Sequence, residues 1–225
     1  MAGWPGTSPR ISVLNPPYIK QVTAVLKPKV DLTRFKTSFT LLNQITILQC
    51  NIGGDPQSRL ARGSVLRKII DFQKPTFIIL VETKRKRKDI PALANYCHFT
   101  LDPLKGCSGG IAFFYNDKLR FRISIAFASR RNSILWIHLR HHASPSKDVY
   151  ISSVYAPTAN SPEYRKNSFY RELGGTTSQF LNLPGHCILA GDFNARIGNK
   201  SGDHATNSNM LPFLDFLEDH LLYPI

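Results

Sequence analysis

The stretch Thr76–Val81 (TFIILV) runs apolar without a break after its first residue and stops at Glu82. A strand with one wetted face alternates apolar and polar side chains, so an uninterrupted run needs cover on both faces of its sheet. The same reading marks strands at Gln44–Cys50, Gly110–Tyr115, Phe121–Phe127, Ile134–Leu139, Asp148–Tyr155 and Cys187–Gly191. Phe121–Phe127 and Ile134–Leu139 alternate apolar residues with Arg, Ser or His, which predicts one solvent-facing side for each. Helical spacing of Leu66, Ile69 and Ile70 predicts a helix over Ser58–Gln73 that stops at Pro75. A second helix starts at Ser161-Pro162-Glu163 and is expected to break at Gly174-Gly175. Pro212–Leu222 forms a third, with Phe213, Leu214, Leu217 and Leu221 on its apolar side. Neighbouring strands mixed with occasional helices predict a layered α/β sandwich rather than a strictly alternating wound sheet.

At 225 residues and 42% hydrophobic, the chain is long and apolar enough for one core, which excludes wholesale disorder. Residues 1–43 read differently. They carry Pro5, Pro9, Pro16, Pro17 and Pro28, and Arg10, Lys20, Lys27, Lys29, Arg34 and Lys36 against a single acid, Asp31. No sustained period is present there, so residues 1–43 are expected to be a flexible basic arm, or a tail without a role, ahead of a domain at 44–225.

Three apolar strands end in residues with hard oxygen donors. QITILQC leads to Asn51, TFIILV to Glu82, and CILAG to Asp192-Phe193-Asn194. A carboxylate placed directly after a buried run costs several kcal/mol of desolvation, on the order of that for any buried ion, unless it is solvated, paired or metal-bound. Any one such ending is explained by a polar residue entering a loop. Three of them, if the strands lie side by side, converge on one rim and suit magnesium, which takes oxygen ligands and keeps several waters.

The charge balance, 29 Lys+Arg against 15 Asp+Glu for a net +14, points to a polyanionic partner. DNA, RNA and an anionic membrane surface all satisfy charge alone. The densest run, Lys84-Arg85-Lys86-Arg87-Lys88, begins two residues after Glu82. It reads as a DNA-backbone contact, a nuclear-localisation stretch or a solvated loop. The apolar runs fall short of the roughly 18–20 residues that span a bilayer, so no membrane span is expected. MAGWPGTSPR lacks the apolar core of a signal peptide, and Cys50, Cys97, Cys107 and Cys187 show no Cys-x-x-Cys pair. Reduced thiols, no zinc site, and a nuclear or cytoplasmic rather than secreted chain follow as expectations.

The segments ITILQCNIGG, PTFIILVET, GGIAFFYN, VYISSVYAP and ILAGDFNARIG, in this order, resemble the endonuclease/exonuclease/phosphatase superfamily over about residues 44–222. Gly-Asp-Phe-Asn is the most specific element. The Gly-Asp-Phe-Asn-Ala-Arg stretch, followed by NSNMLPFLDFLEDHLL, is closest in style to the endonuclease domains of non-LTR retrotransposons. The resemblance implies a DNase I-like fold of two mixed sheets flanked by helices, and a magnesium-dependent (manganese being the alternative) hydrolysis of DNA phosphodiesters. Carried over, Glu82 would be the principal metal ligand, with Asn51 orienting it or lending its carbonyl. Asp192 would orient or deprotonate the attacking water, Asn194 would bond a phosphate oxygen, and Tyr155 would stabilise the developing charge.

Several departures temper this expectation. Val81 stands where many members have Gln, and Gly53 where the repair nucleases often carry an acid. The family pattern continues to an Asp on a late strand and a terminal Ser-Asp-His, whereas this sequence closes at Leu222-Tyr223-Pro224-Ile225. Gly202-Asp203-His204 is not expected to substitute, and His138, His141, His142 and His220 read as ordinary polar surface. The expectation is therefore a domain lacking its last strands, weak or inactive alone, with an uncovered sheet edge that favours self-association. A non-catalytic nucleic-acid-binding remnant and a phosphatase of the same superfamily are the alternatives.

Overall fold

The computed structural model describes residues 25–26, 45–104, 109–198 and 205–222. Two mixed β-sheets pack face to face between helices. The first sheet has the order β1 (Val25–Leu26), β9 (His186–Asp192), β8 (Val149–Tyr155), β7 (Ile134–His141), β6 (Phe121–Ala128). The second has the order β2 (Ile47–Asn51), β3 (Phe77–Val81), β5 (Ile111–Asn116), β4 (Tyr96–Leu101). In each sheet one pair is parallel, β8 with β9 and β2 with β3, and the remaining pairs are antiparallel. This is the layered sandwich that the sequence predicts.

The apolar run of β3 is buried as its composition requires. Phe77, Ile79 and Val81 point between the sheets, while Ile78 and Leu80 point outward under α2 (Val65–Gln73). Each such fully buried side chain contributes roughly 1.5–3 kcal/mol. The inter-sheet core also takes Ile111, Phe113, Leu135, Ile137, Ile151, Ile188 and Ala190. The outer face of the β9–β8–β7 region lies under α3 (Glu163–Leu181) and α4 (Met210–Asp219), around Trp136, Phe169, Leu173, Phe180, Phe213 and Phe216.

Several local expectations need correction. The helix predicted over Ser58–Gln73 is two pieces, α1 (Pro56–Arg59) and α2. Gly63 turns the chain at φ 90°, and the Ser64 hydroxyl then caps the second piece by accepting from Arg67 N–H. β7 has no solvent face over most of its length, because α3 covers Trp136. His138 is half-buried there, pairing at 2.8 Å with buried Asp148 and stacking on Tyr150 at 4.5 Å. α3 runs unbroken through Gly174-Gly175. The reason lies in His220, whose ring fills the space over Gly174 and whose Nε2 lies 3.0 Å from the Gly174 carbonyl and 3.1 Å from Ser178 Oγ. His220 thus fastens α4 to α3 and is not plain surface. Ser161 pairs with Thr158 rather than capping α3, and exposed Leu221 leaves the apolar side of α4 to Phe213, Phe216 and Leu217. β4, unmarked in the sequence, joins the second sheet as an edge strand.

Most of residues 1–43, Cys107 and Gly202-Asp203-His204 lie outside the described residues. Val25–Leu26 is the exception in that first segment, pairing antiparallel with Ile188 and Leu189 on the outer side of β9.

Candidate active site

The two parallel pairs aim their C-terminal ends at one rim. Within the sheets, Asn51 lies beside Val81 and Tyr155 beside Asp192. Between the sheets, Asn51 Nδ2 donates to Asp192 Oδ2 at 2.8 Å. The strand ends that the sequence marked by their oxygen donors therefore meet.

Asp192 is oriented on both sides. Its second oxygen, Oδ1, accepts from Asn194 N–H at 2.8 Å. Asn51 is fixed in turn because its Oδ1 accepts from Gly53 N–H at 3.0 Å. The backbone reaches Asp192 through Gly191 at φ 140°, where any Cβ would collide with the Val154 backbone. Asn194 adopts φ 49°, and its amide donates to the Ala156 carbonyl at 2.7 Å. An amide nitrogen carries two hydrogens, so one is left for a ligand. Its own carbonyl accepts from Asn207 and Asn209, at 2.8 and 3.1 Å. These two asparagines escaped the sequence reading; thirteen and fifteen residues separate them from Asn194, and nothing in their spacing announces the contact.

Glu82 leaves β3 in the left-handed region at φ 58°. Its carbonyl accepts from Gly54 N–H at 2.7 Å, and Thr83 N–H and Lys84 N–H donate to Gly110 and Gly109 carbonyls at 3.2 and 2.8 Å. A Cβ on Gly110 would strike Thr83 Oγ1, and one on Gly109 would lie 3.8 Å from the Tyr155 ring. Gly110 therefore lets the Glu82 turn lie close against it, whereas Gly109 is called for by its φ of 126° and leaves ordinary contact distance to Tyr155. Tyr155 is largely buried in the inter-sheet core. The Glu82 carboxylate, mostly shielded from solvent, forms an ion pair with Lys84 Nζ at 2.9 Å.

Lys84, Arg85, Lys86, Arg87 and Lys88 are all exposed and follow this turn directly. Arg87 N–H is anchored on Asp102 Oδ1 at 2.7 Å. Buried thiols are not candidates for nucleophiles: burial pushes Cys187 up to about 12 and also raises Cys50. Among the described residues, Cys50, Cys97 and Cys187 are free, and no cluster of three or more His, Cys, Asp or Glu is gathered for a metal.

The donors at the rim are one mostly shielded carboxylate, a second carboxylate already bonded on both oxygens, and amide oxygens. That set fits magnesium or manganese, which accept one or two carboxylates and complete their shells with water and phosphate. It does not fit a closed zinc site, which wants four nitrogen or sulfur ligands.

The sequence model of the Endonuclease/Exonuclease/phosphatase family matches residues 48–224, and the chain belongs to that family. No curated protein matches it in sequence. Among solved structures it is similar to the AP endonuclease of Leishmania major, with a TM-score of 0.64, 15% identity, and 77% of this chain covering 66% of that one. It is similar to the endonuclease domain of TRAS1, a telomere-specific non-LTR retrotransposon (TM-score 0.56, 15% identity, 77% and 71% coverage). A 3′ phosphatase from Neisseria bound to product DNA hairpin gives a TM-score of 0.56 at 15% identity, with 76% and 70% coverage. The chain thus spans about two thirds of the length of these structures, whose likeness at such identity is one of fold. The family is generally dependent on divalent metals. No helix among the described residues is long and apolar enough to cross a membrane.

Proposed function

We propose that the domain is a divalent-metal-dependent phosphodiesterase acting on DNA. The observation that carries this reading is the Asn51–Asp192 bond, which joins two sheets at the rim where Glu82 and Tyr155 also end. Glu82 and Asn51 would hold magnesium or manganese, which when bound offsets negative charge on the reacting phosphate. Asp192, held by two donors, takes the proton of the attacking water. The remaining amide hydrogen of Asn194 bonds a non-bridging phosphate oxygen, and the Tyr155 hydroxyl does the same from the adjacent strand of the same sheet. Lys84 to Lys88 hold the DNA backbone beside the rim.

Plasmid nicking in magnesium, against a chelator control and Glu82→Ala, tests the reading. The expected result is metal-dependent nicking that falls by about 10³-fold in Glu82→Ala, as for loss of a central charge-stabilising group. Equal nicking by wild type and variant would sink it.

A second reading is a nucleic-acid-binding domain with slow or no turnover. It is favoured by one observation: the described histidines are engaged away from the rim. The His138 ring bonds Asp148 at the opposite end of β8, the His141 ring accepts from Ala143 N–H there, and His142 stacks on His141. His186 opens β9 at its far end, His220 joins two helices, and His98 stacks on Phe114. DNA binding without nicking would select this reading.

In either reading the basic run meets phosphate. Replacing all five residues with Ala is expected to reduce the slope of log K against log salt by about 0.9 for each phosphate that the variant no longer neutralises. An unchanged slope in fluorescence anisotropy titrations would assign the run to solvent.

A further inference from the structure

The end of the first sheet farthest from the rim is basic. β6, an edge strand, and β7 run antiparallel, and their register sets Arg122 directly opposite Arg140. Side chains alternate between faces along a strand, so Arg140 follows Trp136 and His138 onto the face that packs against α3. Arg122 and Arg140 are nevertheless both exposed. Directly opposed residues hold their Cβ atoms roughly 4.5–5.5 Å apart, and like charges placed so destabilise a sheet.

No carboxylate relieves this pair. Asp148, the acid at this end of β8, is buried and engaged on both oxygens, by the His138 ring at 2.8 Å and His141 N–H at 2.7 Å. Among the described residues, neither arginine forms an ion pair. Exposed Arg120 leads into β6, and the β7–β8 connection adds exposed His142 and half-buried Lys147 at the same end. The rim lies at the other end of the seven residues of β8, about 20 Å away. Two planar guanidinium groups side by side, without a countercharge, present parallel N–H donors that match phosphate oxygens. A phosphate held between them would neutralise the repulsion that the sheet otherwise carries.

We propose that Arg122 and Arg140 form a second contact for the DNA backbone, at the end of the sandwich opposite the candidate active site. The inference rests on DNA as the partner and goes beyond it, by giving the domain a phosphate contact that takes no part in hydrolysis.

The test titrates a labelled DNA duplex with the full chain by fluorescence anisotropy across a salt series. Replacing both arginines, as Arg122→Gln with Arg140→Gln, is expected to lower the slope of log K against log salt by about 0.9 to 1.8, for one or two phosphates. At 0.1 M salt the affinity should fall by about tenfold. The urea midpoint of this variant is expected to rise, because the opposed charges are gone. Arg122→Lys with Arg140→Lys keeps both charges and should keep the slope. Lys68→Gln with Lys74→Gln removes the same charge around α2, and should change affinity by less than about twofold because distant exposed charges are screened.

If the arginine-to-glutamine pair loses no more than the Lys68 and Lys74 pair, the second contact is overturned and DNA stands as the partner. A loss seen with RNA but not with DNA overturns it equally. If the urea midpoint falls sharply instead, Arg122→Glu decides, since it gives Arg140 a carboxylate partner on an exposed edge strand. That variant must also lose slope, and wild-type binding by it overturns the proposal. A wild-type chain that binds no DNA removes the DNA reading itself, and the second contact with it.

Discussion

Asp192→Asn is expected to lower DNA cleavage by about 10³-fold while leaving the chain folded. The substitution keeps the shape of the side chain and removes the charge that, in the proposed function, accepts a proton from water. Two donors converge on Asp192, Asn51 Nδ2 on one oxygen and Asn194 N–H on the other. An asparagine offers a single oxygen, so one of these donors would meet an amide NH₂. A loss of about 1–2 kcal/mol in stability should accompany the loss of rate. Single-turnover cleavage together with urea denaturation separates the two effects. A near-wild-type rate in the folded variant would show that another group handles the proton.

Gly191→Ala is expected to cost about 3–5 kcal/mol, among the largest effects open to one added methyl group. At φ 140° the new Cβ would press on the nitrogen, carbonyl carbon and oxygen of Val154, backbone atoms in a parallel pair that cannot step aside. Native domains hold only about 5–15 kcal/mol in total, so the variant should unfold at far lower urea. Gly53→Ala provides the contrast. Gly53 also has a positive φ, 61°, but a Cβ there meets nothing within 4 Å, so the expected loss is about 1–2 kcal/mol of backbone strain alone. Equal midpoints for the two variants would refute the collision as the cause.

Sequence patterns carried the centre of the fold better than its covering. The β3 run is legible because five apolar residues in succession, too short for a helix and preceded by Pro75, suit a strand between two layers. Asn51, Glu82 and Asp192 are legible because a hard-oxygen residue at the end of a buried strand is a local feature, visible without knowing which strands are neighbours. β7 misled because His138 looks like an outward polar residue, yet Asp148 and Tyr150 give it a partly buried place. Gly174-Gly175 misled because the break expected from glycine is overridden by a ring arriving from 46 residues away. The Asn207 and Asn209 amides were hidden for the same reason. Their partners are backbone carbonyls, and a carbonyl leaves no mark in a sequence.

The bond between Asn51 and Asp192 joins residues 141 apart in the chain. Contacts of such separation form late, because the entropy of closing the loop is lost before any contact can offset it. During synthesis, β2 and β3 emerge well before β9, and their oxygen donors must wait for it. The rim is therefore a seal on the completed sandwich, formed only once both sheets have docked. Its assembly and the maturation of the domain are the same event.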